Sequence, residues 1–300
     1  MSETGGANGR RRQHAVPTRG HVLAEYRRRK LDLAEVIRAA MHLAEDRRDQ
    51  ERVTTARELL ARLAEDRFQL AVVGQFSRGK STLVNAILGD AYLPTGALPV
   101  TSVVTTVGYG SRARVVVRRT ETSLPIETSV DDLPRFVVQA SAEREELGVA
   151  SVEIEVPAEV LRLGFWFVDT PGVGSAIAAN TATTRRYLPD ADAVIFVTGF
   201  DAPLGEPELQ FLDDVRRHVK RLFFVVNKLD LLPAAEAEEV TRFVRDRVFE
   251  RTGAQPRMFA ISARGGLEAK LHGDPERLAS SGLPELERTL VRFLTSRWRL

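Results

Sequence analysis

Residues 70–88 read LAVVGQFSRGKSTLVNAIL, and this stretch decides the fold class. An apolar run of strand type, residues 70–73, leads into a Gly-x-x-x-x-Gly-Lys-Ser loop at residues 74–81. Residues 80–88 continue with the composition of a helix. In a strand–loop–helix arrangement, successive backbone N–H groups and a helix N-terminus point at one place, which suits a phosphate group. The stretch therefore predicts a P-loop domain.

Apolar runs and amphipathic segments alternate along the rest of the chain. The predicted strands are residues 69–73, 103–109, 113–118, 152–156, 165–168, 193–197, 222–226 and 258–261. The predicted helices of this part are residues 80–88, 207–219, 235–250 and 286–298. Short buried strands alternating with helices are typical of an α/β fold with a mostly parallel central sheet flanked by helices. The more polar residues 113–151 are expected to form an insertion into that sheet.

These patterns divide the chain into four parts. Residues 1–20 are rich in Gly, Arg and small polar side chains, and they predict a disordered basic tail. Residues 21–66 predict two N-terminal helices, because apolar side chains recur there at helical spacing. The nucleotide-binding domain is expected to span 67–282, and an amphipathic C-terminal helix 283–300. The stripe predicted on the first helix consists of Leu33, Val36, Ile37, Ala40, Met41 and Ala44.

The composition favours a reducing compartment. The 300 residues are 43% hydrophobic, enough for a substantial core, and include no cysteine. No run of about 18 apolar residues occurs, and the basic N-terminus is not followed by a hydrophobic stretch. A cytoplasmic location is expected, with peripheral contact at the inner face of the membrane as the alternative.

The net formal charge of +2 makes the whole chain a poor match for nucleic acid, which is not expected as a partner. Positive charge is concentrated locally, at residues 10–12 and 27–30. These two runs fit a contact with anionic lipid or nucleic acid. The preferred interpretation of both runs is a solvated tail and the polar face of a helix.

The residues of the Gly-x-x-x-x-Gly-Lys-Ser loop are assigned to the phosphates. Lys80 is expected to place its ammonium between the β- and γ-phosphates, where charge grows as the terminal phosphoryl leaves. The hydroxyl of Ser81 is expected to ligate Mg²⁺. The nucleotide contacts predicted from this loop are those of Gly74, Ser77, Arg78, Gly79, Lys80, Ser81 and Thr82.

A second motif, Asp-Thr-Pro-Gly at residues 169–172, follows the apolar run 165–168. Asp169 then stands at the end of a predicted strand beside the phosphate loop, where it suits Mg²⁺ through a water molecule. The N–H of Gly172 can contact the γ-phosphate and sense its loss. Its position between the phosphate loop and the Asn-Lys-Leu-Asp sequence further along the chain makes this assignment specific.

A third motif, Asn-Lys-Leu-Asp at residues 227–230, predicts a preference for guanine. Asp230 can accept two hydrogen bonds from the N1–H and the exocyclic amine of guanine, a pair that adenine lacks. Lys228 is expected to lie along the base, and Asn227 to tie neighbouring loops together. The dipeptide Ser262-Ala263 supplies the expected final base contact, with its second N–H directed toward the guanine carbonyl.

A threonine that binds Mg²⁺ and the γ-phosphate is expected in the loop between the first helix of the domain and the next strand. Thr101 is the first choice, because it lies at the end of residues 93–101, a loop that contains Gly and Pro. The alternatives are Thr95, Thr105 and Thr106.

The residue after the Asp-Thr-Pro-Gly motif is Val173, where Ras-type switches hold a glutamine that orients the attacking water. Because valine has no group that could do so, a main chain, a partner or a partner-dependent loop must position the water. The candidates for catalysis are Ser77, Arg78, Lys80 and Thr101. Arg78 is interpreted as an arginine finger, acting in cis or across a dimer, as a solvent-facing loop residue, or as a residue that pairs across an interface.

The chain resembles the dynamin superfamily, specifically the bacterial dynamin-like GTPases. The resemblance covers about residues 57–300 and rests on residues 74–89, 93–96, 99–101, 169–172, 188–197 and 203–209. It implies a GTPase domain that dimerises across its nucleotide face, and hydrolysis stimulated by that dimerisation. It also implies Mg²⁺ as cofactor, GTP and GDP as substrate and product, and a role for Ser77 in holding the catalytic water. A monovalent cation is a second candidate ion.

In that family a helical neck and a stalk convert hydrolysis into membrane tubulation or fusion. The helices on either side of the domain resemble parts of such a neck bundle and are expected to pack their apolar stripes together. The long stalk and its membrane-binding tip are not among these 300 residues. Beyond the homodimer, the expected partners are therefore a second dynamin-like subunit or a stalk outside this chain, and an anionic membrane lipid.

Two other interpretations use the same motifs. GTPases that resemble Era or the tRNA-modification enzymes act on RNA or the ribosome and also lack the glutamine, but they normally bring an RNA-binding module. A septin-like scaffold would bind GTP for assembly without hydrolysing it, and Val173 is compatible with that role. Lys80, Ser81, Thr101 and Asp169 favour hydrolysis over the scaffold.

Overall fold

The computed structural model describes residues 19–65, 67–96, 103–120, 124–138, 148–171 and 187–297. The chain divides into two compact units. The first unit combines the chain up to Glu65 with the segment from Phe293 onward, and the second is Asp66–Arg292. Within the described ranges, no helix is long and apolar enough to cross a membrane.

The first unit contains helix α1, Arg19–Asp46, and helix α2, Gln50–Glu65. The N–H of Asp49 donates to the carbonyl of Ala44 at 2.9 Å and closes the turn between them. The stripe predicted on α1 is mostly wrong, because Leu33, Val36 and Ala40 are exposed, Val36 by 65%, and of its six residues only Ala44 is buried. Small side chains let helices approach closely, and among the side chains of this hairpin that the structure describes, the buried ones are mostly small: Ala34, Ala44, Val53, Ala56 and Leu63.

Within the described residues, the strands of the second unit form one nine-stranded sheet. The strands are β1 Phe68–Val73, β2 Thr105–Tyr109, β3 Arg114–Arg119, β4 Ile126–Thr128, β5 Val149–Val156, β6 Phe165–Asp169, β7 Ala193–Gly199, β8 Leu222–Asn227 and β9 Arg257–Ile261. The helices after α2 are α3 Lys80–Leu88, α4 Leu133–Val137, α5 Glu206–His218, α6 Ala234–Thr252, α7 Ala263–His272, α8 Pro275–Ser280 and α9 Leu283–Arg297.

The strand order is β4-β3-β5-β2-β6-β1-β7-β8-β9. β1 lies parallel between β6 and β7, and β8 and β9 continue in parallel beyond β7. On the other side, β2 runs antiparallel to β6 and parallel to β5. β3 and β4 add two antiparallel pairs. The predicted α/β fold with a mostly parallel central sheet is confirmed.

The polar segment predicted as an insertion, residues 113–151, is described at 113–120, 124–138 and 148–151, and the first two of these ranges lengthen the sheet at one edge. It supplies β3 and β4, which lengthen the sheet beyond β5. Arg114 of β3 pairs across the strands with Glu155 of β5, with its Nη2 at 3.0 Å from Oε2. The sequence does not predict β4, because three residues are too few for a periodic pattern.

The centre of the sheet is buried on both faces. The ring of Phe196 in β7 lies 5.9 Å from that of Phe211 in α5 and 5.6 Å from that of Phe224 in β8. Strands covered on both faces read as continuous apolar runs, which explains why β1, β6, β7 and β8 are predicted correctly. This packing fixes the strands so that the carboxyl ends of β1, β6, β7, β8 and β9 meet along one edge of the sheet.

Candidate nucleotide site at the carboxyl edge of the sheet

The carboxyl edge of the parallel strands collects all three sequence motifs. The phosphate loop, residues 74–79, follows β1, and Thr170 follows β6. Asp201 follows β7, Lys228 follows β8, and Ser262 follows β9. In open sheets of this type, ligands bind in the crevice outside the carboxyl ends of the strands. The candidate site is therefore built from loops that the sheet itself brings together.

Two glycines shape the phosphate loop. Gly74 has a φ of 149°, and a β-carbon there would overlap the carbonyl oxygen of Val197 in β7. Gly79 has a φ of 81° at the N-cap of α3, where a β-carbon would overlap the side-chain nitrogen of Asn227. Between them, Ser77 is exposed and also has a positive φ, 61°. The loop is held tightly against its neighbours while Ser77 stays at the surface.

Lys80, the first residue of α3, is only 8% exposed. Its Nζ donates to the carbonyl of Gln75 at 3.1 Å, across the phosphate loop. Burial lowers the pKa of Lys80 to about 8; the charge of Asp169 opposes this shift and the charge of Arg78 adds to it. A negative ligand beside the ammonium would favour its charged form. The side chain is thus placed to gain from a phosphate.

Ser81 and Asp169 bring two oxygen atoms together beside the loop. Ser81 Oγ donates to Asp169 Oδ2 at 2.6 Å. Asp169 lies opposite Val72 in the parallel register of β6 and β1, and it is 1% exposed. The hydroxyl of Thr170 donates to the Val72 carbonyl at 3.0 Å, which fixes the chain just after Asp169. A hydroxyl and a carboxylate this close together fit a hard cation such as Mg²⁺, which prefers oxygen ligands.

Asn227, the last residue of β8, joins the phosphate loop to the loop after β9. Its Nδ2 donates to the carbonyl of Arg78 at 2.9 Å. Its Oδ1 accepts from the N–H of Ala263 at 3.0 Å. We call this pair of contacts the Asn227 brace. The N–H of Ala263 already donates to Asn227. The hydrogen bond predicted from this N–H to the guanine carbonyl would therefore have to share the same donor.

Asp230 and Ser262 lie together at the ends of β8 and β9. Ser262 Oγ donates to Asp230 Oδ1 at 2.5 Å. The same hydroxyl accepts from the N–H of Gly265 and caps α7, so its position is fixed. Asp230 is exposed, so its carboxylate is accessible to a ligand.

Lys228 adopts a φ of 69°, and its Nζ donates to Asp201 Oδ2 at 2.6 Å. Asp201 is a partner that the sequence motifs do not predict. Burial would raise the pKa of Asp201, but the hydrogen bond and charge of Lys228, followed by the charge of Arg78, lower it. The loop after β7 and the loop after β8 are thereby held to each other.

Arg78 is not the solvent-facing loop residue that one interpretation expects. It is 9% exposed, and its Nε donates to Glu208 Oε1 at 3.1 Å. Its Nη2 donates to Gln75 Oε1 at 3.0 Å, and its Nη1 lies 3.5 Å from Asp201 Oδ1. The solvent-facing interpretation is wrong, because the guanidinium is buried and paired. A buried charge of this kind is stable only with such partners.

Thr198, Asp201 and Glu208 belong to this region but are missed by sequence reasoning. Glu208 has a signal that could have found it. It is the third residue of α5, three positions after Gly205, and its Oε2 accepts from the Gly205 N–H at 3.0 Å. This is the glutamate half of a capping box. Asp201 and Thr198 carry no such local signal.

Some predicted site residues, Thr101 and Gly172, lie outside the described residues, as does Val173. Of the alternatives to Thr101, Thr105 and Thr106 belong to β2, and their hydroxyls donate to main-chain carbonyls at 3.3 and 3.4 Å. The predicted nucleotide contacts that are described all lie along the carboxyl edge: Gly74, Ser77, Arg78, Gly79, Lys80, Ser81, Thr82, Asp169, Asn227, Lys228, Asp230, Ser262 and Ala263.

Comparison with known proteins identifies relatives that match most of this chain. The family model described as the Dynamin family matches residues 70–229. An uncharacterised protein of Caldicellulosiruptor sp. (strain Rt8B.4), from the xynA 3' region, is 36% identical over 78% of this chain and 58% of its own length. The bacterial dynamin-like protein of Nostoc punctiforme is 27% identical over 83% of this chain and 39% of its own length.

A solved structure has the same fold. It is a chain of an oligomerised bacterial dynamin pair, which matches with a TM-score of 0.66 at 17% identity, over 96% of this chain and 55% of that chain. The chain thus spans less than two thirds of each of these three proteins. Because the family model covers over half of the residues, including the phosphate loop and Asp169, the protein belongs to the dynamin family.

Proposed function

We propose that this protein binds GTP and hydrolyses it to GDP and phosphate. The observation that carries the proposal is the Asn227 brace, which holds the phosphate loop and the loop after β9 at the same time. This pair of contacts supports a single site that contains the loop proposed for the phosphates and the loop proposed for guanine. Membership of the dynamin family supports the same activity.

Guanine selection is assigned to Asp230. Its exposed carboxylate is oriented by Ser262 at 2.5 Å and can accept from both N–H groups on one edge of guanine. A site built to donate or accept in this way rejects an analogue that leaves its polar groups unpaired. Lys228, whose Nζ donates to Asp201, is proposed to lie along the base, and Ala263 to share its N–H with the guanine carbonyl.

The phosphates are assigned to the phosphate loop and to Lys80. Lys80 would exchange its single carbonyl partner, Gln75, for phosphate oxygens. Ser81 and Asp169 would hold Mg²⁺, the latter through water, and the bound ion would neutralise charge on the β- and γ-phosphates. Thr101 and Gly172 are proposed to complete the γ-phosphate contacts. A monovalent cation is a further candidate ion on this side of the site.

The attacking water must be positioned without a glutamine, since Val173 stands where Ras-type switches carry one. Ser77 is the candidate in this chain, because it is exposed and held at a positive φ in the phosphate loop. We propose that a second copy of the protein docks over the nucleotide and immobilises this part of the site. The oligomerised state of the bacterial dynamin pair with the same fold supports self-association.

A membrane role is proposed from the same structural relative. The related bacterial dynamin pair is associated with long-range sensing and tethering of membranes. We propose that the GTPase cycle of this protein serves membrane remodelling or assembly at the inner face of the membrane. The helices α1, α2 and α9 would form a partial neck, with anionic lipid contacted through a second dynamin-like subunit or a stalk outside this chain.

The decisive experiment measures GTP turnover per molecule against protein concentration. Molecular mass is determined in parallel with GDP and with GDP–aluminium fluoride. We expect turnover per molecule to rise with concentration, and a dimer to form only with the transition-state mimic. Slow turnover that is independent of concentration, with a monomer in both nucleotides, would contradict dimer-stimulated hydrolysis. No hydrolysis at any concentration would contradict the enzyme assignment itself.

A further inference from the structure

Arg78 connects three separate segments through its guanidinium group. Each of its three nitrogens contacts a different residue: Glu208 at 3.1 Å, Gln75 at 3.0 Å and Asp201 at 3.5 Å. Gln75 belongs to the phosphate loop, Asp201 to the loop after β7, and Glu208 to the first turn of α5. One side chain thereby links the phosphate loop to the segment 201–208.

Glu208 is more deeply buried than Arg78, at 1% exposure. Its Oε1 also accepts from the hydroxyl of Thr198 at 3.3 Å, and its Oε2 accepts from the N–H of Gly205 at 3.0 Å. The hydroxyl of Thr198 in turn accepts from the N–H of Leu204 at 3.2 Å. A buried carboxylate is stable only when paired and hydrogen-bonded, so Glu208 depends on Arg78 for its counter-charge.

The main chain of Arg78 is anchored independently of its side chain. Its carbonyl accepts from Asn227 Nδ2 at 2.9 Å. On either side, Ser77 and Gly79 have positive φ values of 61° and 81°. A non-glycine residue such as Ser77 keeps a left-handed conformation only where its surroundings enforce it. The contacts of the neighbouring residue Arg78 restrain the backbone of Ser77 in this conformation.

We propose that Arg78 is a positioning residue, whose buried ion pair with Glu208 holds the phosphate loop in its nucleotide-binding shape before any partner docks. The inference rests on the proposed function, because it assigns Arg78 a part in GTP and GDP binding. An arginine finger would have to leave Glu208 and reach toward the transferred phosphate. That movement would strand a buried carboxylate, which is unfavourable.

The test compares Arg78→Met, Glu208→Met and the double variant with the unaltered protein. Binding of fluorescent GDP is titrated at protein concentrations where the molecule is monomeric, and the melting temperature is measured for each variant. The kcat and KM for GTP are measured separately. Arg114→Met is the matched control, because it also breaks an arginine–glutamate pair, between β3 and β5. Arg78→Lys keeps the charge and serves as a second variant if Arg78→Met does not fold.

We expect each single variant to lose stability and to bind GDP about tenfold more weakly, or worse, because the loop is no longer held. Arg78→Lys should bind with intermediate affinity, since one ammonium cannot reach all three partners. In the double variant, two apolar side chains replace the ion pair, and stability should recover toward that of the unaltered protein. GDP affinity should remain low, with a raised KM for GTP, because the link to the loop is still absent. Arg114→Met should bind GDP normally.

Two results would overturn the inference. Unchanged GDP affinity in Arg78→Met, with a fall in kcat alone, would identify an arginine finger. Recovery of GDP affinity together with stability in the double variant would reduce Arg78 to a purely structural residue. If the unaltered protein does not bind GDP at all, the proposed function fails first and the inference fails with it, which separates that outcome from the other two.

Discussion

The ammonium of Lys270 lies 2.5 Å from Glu287 Oε1 and also donates to the carbonyls of Ala86 and Ile87, at 2.6 and 3.1 Å. Those carbonyls belong to the last turn of α3, the helix that follows the phosphate loop. A cation at a helix C-terminus satisfies carbonyl groups that the helix cannot pair and interacts well with its dipole. One lysine of α7 therefore joins the phosphate-loop helix to the beginning of α9.

Lys270→Met is expected to destabilise the protein by about 2–3 kcal/mol, because it leaves Glu287 and two carbonyls without their partner. Urea unfolding measures this difference. Lys220→Met, at an exposed position, is the control and should change stability by no more than about 0.5 kcal/mol. Equal effects of the two substitutions would argue against a structural role for Lys270.

The affinity for GDP is expected to fall as the pH rises through about 8. Burial lowers the pKa of Lys80 to about 8, and the phosphates favour the charged ammonium, so its deprotonation opposes binding. Above that pH the affinity should drop about tenfold per pH unit. Titrations of fluorescent GDP between pH 6.5 and 9.5 measure it. Lys80→Arg keeps its charge over this range and should abolish the drop; a drop of the same size in that variant would exclude Lys80 as its source.

The lowered pKa of Lys80 also predicts how the stability of the nucleotide-free protein changes with pH. In the unfolded chain the pKa of a lysine is about 10.4, so between pH 8 and that value the unfolded form binds more protons than the folded form. The contribution of Lys80 to stability therefore increases as the pH rises through this window. Urea unfolding at pH 7.5 and 9.5 should give a larger upward change for the unaltered protein than for Lys80→Met.

Asp230→Asn is expected to weaken GDP binding by about a hundredfold or more, since the amide cannot accept from both guanine N–H groups. Xanthine carries a carbonyl in place of the exocyclic amine, so xanthosine diphosphate should bind this variant better than it binds the unaltered protein. Competition against fluorescent GDP measures both affinities. An undiminished preference for GDP in Asp230→Asn would place the base pocket elsewhere.

Gly74→Ala should destabilise the protein by about 3 kcal/mol or more, because the new β-carbon would overlap the Val197 carbonyl and force the loop away from β7. Gly253→Ala is the matched control. Gly253 also has a positive φ, 69°, but no atom lies within 4 Å of a β-carbon there. Alanine at this position should therefore lose only the free energy of a left-handed backbone conformation, about 1 kcal/mol. Similar melting temperatures for the two variants would contradict the close approach at Gly74.

The elements that the sequence predicts well are those with clear local signals. It predicts α3 at its observed limits, because Gly79 and Gly89 mark both ends, each in a left-handed conformation. It does not predict α7, whose first turn contains Gly265 and Gly266, residues that disfavour helices. In the fold, a β-carbon at Gly266 would lie 2.9 Å from the Leu283 side chain. Close packing against α9 therefore outweighs the low helix propensity of these glycines, and the segment is helical.

The same distinction holds at the site. The motif residues are predictable because each stands at or shortly after the end of a buried strand, and the sheet brings the strand ends together. The partner of Arg78 is not predictable, because Glu208 lies 130 positions further along the chain. Only the fold places the two side chains within hydrogen-bonding distance, since α3 and strands β2 to β7 lie between them in sequence.

The Asn227 brace has a thermodynamic consequence for the order in which the parts of a nucleotide engage. The side-chain amide of Asn227 bonds to the main chain of the phosphate loop and to the main chain that follows β9. Ordering either segment therefore favours the ordered form of the other. Such a linkage is reciprocal: the base half of the ligand must raise affinity for the phosphate half by the same factor as the reverse. Guanosine and pyrophosphate should therefore bind more tightly together than apart, even though no covalent bond joins them.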